Sequence, residues 1–199
     1  MSQLAATAAI VLLISAPPGC RPRPAEPRAQ RVRAGSAAAM TPPTQDTGFA
    51  GTTAPVRRIR ALRPGVPPGM LRAVASAAGP APGYDRVVFE FTGDSVPGYH
   101  VEYATEPVRR CGSGDPVSVA GAARLVVRFE PASAHDEHGN RAPVERERAP
   151  RLRAVREMAL VCDFEGQVEW VLGIAVKAPY RVSELAQPAR LVLDVGYAR

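Results

Sequence analysis

The amino-acid sequence predicts an all-β protein: an antiparallel β-sandwich of about seven or eight strands, preceded by a signal peptide and a disordered basic tether rich in Pro, Arg and Ala. Three features carry that prediction. Short segments in which apolar and polar residues alternate recur from residue 70 onward, each the length of one strand with a buried face and a wetter face. Gly and Pro, 17 and 21 of the 199 residues, punctuate those segments as turn formers. No stretch carries an apolar repeat of helical period over a convincing length. The chain length suits one domain of ordinary size plus a tail.

The N-terminal part reads as an export signal. Leu4 to Ala16 is a run of 13 uncharged, almost wholly apolar residues. A helix of that length spans about 20 Å, short of the roughly 30 Å hydrocarbon core of a bilayer, so it suits a signal peptide better than a permanent span. Cys20 follows Gly19 at the place where a signal peptidase leaves a lipidated cysteine, which makes residues 1–20 a signal peptide with a lipobox-like end. An ordinary cleaved signal ending between Ala16 and Gly19 is the alternative.

Residues 21–47 hold Pro, Arg, Ala and Ser with almost no large apolar side chains, too little to offset ordering entropy, and are expected as the tether. The net charge of +6 belongs here. Ten arginines face only Glu26 and Asp46 between residues 21 and 72, whereas residues 73–199 carry 15 basic and 17 acidic residues. Such an arm suits anionic lipid headgroups or wall polymers. Nucleic acid is not expected as a partner, because neither a recognition motif nor interleaved aromatic residues accompany the charge.

Residues 48–199 form the expected domain. Phe49 and Val56 lie in a Pro- and Arg-rich stretch that suits an edge segment, since proline cannot serve a central strand. Met70 to Ser76 is the first full strand. The clearest is Tyr84 to Phe91, with Val87, Phe89 and Phe91 inward and Arg86, Val88 and Glu90 outward. Tyr99 to Tyr103 turns Tyr99, Val101 and Tyr103 inward, and Ala123 to Pro131 does the same with Leu125, Val127 and Phe129. Residues 133–153 are polar and irregular, a length of loop that marks function or mobility. A hairpin follows: Val155 to Phe164 with Met158, Leu160, Cys162 and Phe164 on the inward phase, a turn at Asp163 to Gln167, and Val168 to Val176 with Val168, Trp170, Leu172, Ile174 and Val176 inward. Tyr180 to Leu185 and Arg190 to Val195 complete the set.

Five motifs in this order, Gly83-Tyr84-Asp85-Arg86-Val87-Val88-Phe89-Glu90-Phe91, Pro97-Gly98-Tyr99, Ala134-His135-Asp136, Asp163-Phe164-Glu165-Gly166 and Arg190-Leu191-Val192-Leu193-Asp194-Val195, make residues 48–196 resemble the AMIN-like domain of actinobacterial envelope lipoproteins. The related AMIN domains are β-sandwich modules that direct amidases and secretin components to peptidoglycan or the septum. The resemblance implies a noncatalytic, wall-facing module on a lipid anchor at Cys20, outside the cytoplasm, with peptidoglycan or an envelope protein as partner. It transfers no ligand-binding residue to this chain.

Chemistry-bearing residues are few. The loop His135-Asp136-Glu137-His138-Gly139-Asn140 offers His135, Asp136 and His138 as ligands of a metal site, the alternative being a solvated turn. With Cys20 acylated or removed, Cys111 and Cys162 are an even pair in an oxidising compartment and suit a disulfide. A buried thiol at Cys162 is the other reading. No serine has the spacing of a nucleophile triad. Glu90, Glu102, Glu130 and Glu169 occupy outward strand positions, as cross-strand partners of Arg86, Arg124 and Arg128 rather than an acid and base pair. There is no phosphate-cradling loop, and no cofactor is expected. A secreted metal-dependent hydrolase using the His135 to Asn140 loop and a secreted protein-interaction module are the competing classes.

Overall fold

The computed structural model of the chain describes residues 49–62 and 64–198. The expected signal peptide with Cys20 and the tether of residues 21–47 lie outside the described residues. Among the described residues there are eleven strands and no helix: β1 (Val56–Arg58), β2 (Gly69–Ala78), β3 (Tyr84–Phe91), β4 (Tyr99–Tyr103), β5 (Ala123–Phe129), β6 (Ala132–Ser133), β7 (Glu147–Arg148), β8 (Val155–Phe164), β9 (Gln167–Ile174), β10 (Tyr180–Leu185) and β11 (Ala189–Gly196). Eight of them are the strands read from alternation. The additional three, β1, β6 and β7, have only three, two and two residues, too few for a period of two to register.

Two sheets pack face to face. One has the order β1-β4-β5-β9-β8-β7, the other β10-β11-β3-β2-β6. All pairings are antiparallel except the short β2–β6 contact. The inward phases of β3, β4, β5, β9 and β11 interdigitate between the sheets, with Val87, Phe89, Val101, Leu125, Val127, Phe129, Trp170 and Leu193 wholly or almost wholly buried. Aromatic edges hold the centre: Phe129 meets Phe89 at 5.2 Å and Phe91 at 4.7 Å, and Phe89 meets Trp170 at 6.0 Å between ring centroids. Each such side chain contributes roughly 2–3 kcal/mol by leaving water.

Two β-bulges in β8 correct the reading of that strand. The register against β9 shifts between Val155 and Glu157 and again between Leu160 and Cys162. A slip of one residue moves every later side chain to the opposite face. Val155, Met158 and Leu160 therefore face the core, but Cys162 pairs with Glu169 on the outer face, and Phe164, expected inward, is 60% exposed. Val176 is likewise outside the core, because β9 ends at Ile174. The β8–β9 hairpin closes through Glu165 and Gly166 at φ 49° and 77°, the positive pair that a two-residue turn of primed type requires.

A second apolar layer lies on the outer face of the β1-β4-β5-β9-β8-β7 sheet. Val108 and Val119 of the β4–β5 connection cover Val126, Ala159, Val161 and Val171. Cys111 in that connection is joined to Cys162, with Cα atoms 5.2 Å apart across a sequence separation of 51.

Candidate functional site

The residues singled out for metal binding do not converge. His135 turns its Nδ1 to Asp163 Oδ1 at 2.8 Å, and the same carboxylate accepts the Ala134 N–H at 2.8 Å and Arg146 Nη2 at 2.9 Å. Burial alone would raise the Asp163 pKa; the Ala134 amide, Arg146 and His135 outweigh it and hold the carboxyl below its ordinary value. Asp136 is occupied by its own loop. Its Oδ1 accepts the N–H groups of His138 and Asn140, at 2.9 and 2.8 Å, and its Oδ2 accepts Asn140 Nδ2 at 2.9 Å. The Asn140 side chain and amide keep that carboxyl below the usual range as well. Among the described residues, no group of three His, Cys, Asp or Glu side chains has a metal-holding arrangement. The loop is a turn fastened to the β8–β9 hairpin, which brings the Ala134-His135 and Asp163 motifs together.

A different surface offers unspent donors. After Arg58 the chain leaves β1 and crosses the open edge of the sandwich as a strap. Gly98 makes room for it, since a Cβ there would strike the Glu130 carbonyl and the Arg60 backbone. Arg60 ties the strap down through Val96 O at 2.6 Å and Glu184 Oε2 at 2.7 Å. Glu184 of β10 also takes Arg58 Nε at 3.2 Å and the Tyr99 hydroxyl at 3.1 Å, so one carboxylate clasps both sheets. Burial and the neighbouring Glu184 push the Tyr99 phenol above its ordinary pKa.

Beside the strap runs an open groove of about 350 Å³, its sides formed by Arg57, Ile59, Leu62, His100, Arg128 and Glu130. Arg57, His100 and Arg128 are direct cross-strand partners on β1, β4 and β5 and share the outer face of the sheet. The row continues to Glu169 on β9, which receives Arg128 Nε at 2.6 Å. Glu169 is thus an outward partner of arginine, as expected, yet it is only 8% exposed under the outer layer. Arg86, by contrast, pairs with Asp194 and not with a glutamate. Among the described residues Arg57 makes no ion pair, and Arg128 uses only its Nε. Sequence reading registers Arg57-Arg58-Ile59-Arg60 as a basic patch but not as a site; its alternation of Arg57 with Val56 and Arg58 is three residues long.

The AMIN-like domain family model matches residues 72–197, from within β2 to the end of the sandwich. The strap and β1 precede that span. No curated protein and no solved structure matches the chain.

Proposed function

Since the chain belongs to the AMIN-like domain family, we propose that it is a noncatalytic module of the cell envelope that binds or scaffolds at peptidoglycan or another wall component. The observation that carries this reading is the family match across the whole sandwich after β1. The occupancy of the polar groups in the His135 to Asn140 loop agrees with a binding role, because His135, Asp163 and Asp136 are engaged within the fold. Residues 1–20 export the chain, acylation of Cys20 holds it at the outer face of the membrane, and residues 21–47 carry the domain to the wall.

The test is sedimentation of the purified mature protein with isolated peptidoglycan at moderate salt. The protein is expected in the pellet, and a protein that stays in the supernatant defeats the wall-binding reading. In cells, Cys20→Ser is expected to release the chain from the membrane fraction; retention there removes the lipid anchor from the proposal.

A further inference from the structure

We propose that the groove beside β1 is an oxyanion site, one that takes a carboxylate or phosphate group carried on an apolar stem. Three basic side chains, Arg57, His100 and Arg128, stand side by side across adjacent strands. Like charges directly opposite one another destabilise a sheet unless something compensates them. Glu169 compensates only the inner end of the row. Glu102 stands 3.6 Å from His100 Nδ1, beyond hydrogen-bonding distance. At the outer end, Arg57 has no carboxylate among the described residues.

The donors are arranged for a ligand. Arg128 is fixed through Nε, which leaves both of its terminal nitrogens without a protein acceptor among the described residues. A guanidinium anchored in this way presents a planar pair of donors that matches the two oxygens of a carboxylate or phosphate. The strap adds apolar surface on the same groove: Ile59 and Leu62 are 77% and 56% exposed, unusual for large aliphatic side chains placed next to a charged row. Charge complementarity selects an anion, and the aliphatic wall selects one attached to carbon-rich chain rather than a free ion. Within the wall-binding reading, on which the choice of source rests, such groups are the stem-peptide carboxylates of peptidoglycan or the phosphates of wall-linked polymers.

The test is calorimetric binding of two probes, poly-L-glutamate and inorganic polyphosphate, to the mature protein and its Arg57→Glu and Arg72→Glu variants. Both arginines are exposed, and Arg72 lies on β2 of the other sheet, so it controls for general loss of charge. The basic residues at 21–47 are common to all three proteins. Arg57→Glu is expected to weaken binding about fivefold or more, and Arg72→Glu less than about twofold. An effect confined to poly-L-glutamate assigns the site to carboxylates, and one confined to polyphosphate assigns it to phosphates. Equal weakening by the two variants, or none by either, overturns the site. A protein that fails to sediment with peptidoglycan yet keeps the Arg57 dependence loses its wall assignment and retains the site; the reverse pattern removes the site alone.

Discussion

A row of basic side chains crosses the outer face of each sheet, and the two rows are balanced in opposite ways. On the β10-β11-β3-β2-β6 sheet, Arg181, Asp194 and Arg86 are neighbours on β10, β11 and β3, so the acid lies between the two bases. Asp194, with a side chain 3% exposed, takes Arg86 Nε at 2.7 Å and Nη2 at 3.0 Å and Arg181 Nε at 2.9 Å. Arg181 is further held 4.9 Å from the ring centroids of both Phe49 and Tyr84. On the opposite sheet the acid, Glu169, sits at the inner end and the basic charge accumulates toward the edge. Interleaved charges saturate one another and serve the fold. A row that ends unpaired at a groove keeps donors for something else.

The largest expected effect tests how the inner end of the second row is held. Cys162, opposite Glu169, is tied to Cys111 in the covering connection. Replacing both cysteines by alanine frees a loop of 51 residues in the unfolded chain, and chain entropy sets the loss at about 4 kcal/mol, read from denaturant midpoints. A double variant as stable as the parent would mean that the outer layer is not part of the cooperative fold.

Next in size is Asp194→Ala, which leaves Arg86 and Arg181 facing each other with no counter-charge. About 2 kcal/mol is expected, below the usual cost of breaking a buried pair because both arginines are partly exposed. The interleaved row also predicts an acid dependence. Burial would raise the Asp194 pKa, but Arg86 and Arg181 hold it below the ordinary carboxyl value. Its contribution is therefore complete above about pH 4, where the unfolded carboxyl is ionised, and is lost as pH falls through the lower folded-state pKa. Thermal melts should lose part of that acid limb in Asp194→Asn. An unchanged limb would show that the row is screened by solvent.

The sandwich was legible because its eight long strands alternate cleanly, and β3 does so over its full length. The bulges of β8 were not, since an extra residue changes the face without changing composition; Cys162 and Phe164 look inward to any strict period of two. The His135–Asp163 contact joins residues 28 apart whose pairing only the closed hairpin creates. The groove draws Arg57, His100 and Arg128 from three strands that are far apart in sequence and adjacent in the sheet. A three-residue strand such as β1 leaves no pattern from which that adjacency could be inferred.

The smallest expected effect on stability is the sharpest test of the contrast between the rows. If the Arg57 end is unspent, removing its charge costs the fold nothing, because no partner is stranded and a like charge beside His100 disappears. Arg57→Ala should leave the free energy of unfolding within about 0.5 kcal/mol of the parent, with any change favouring stability. The measurement is a chemical denaturation curve at low salt, where exposed charge interactions are least screened. A loss of 1 kcal/mol or more, roughly the size of a made hydrogen bond, would place Arg57 among the structural arginines with Arg86 and Arg181 and leave the groove without its free donor.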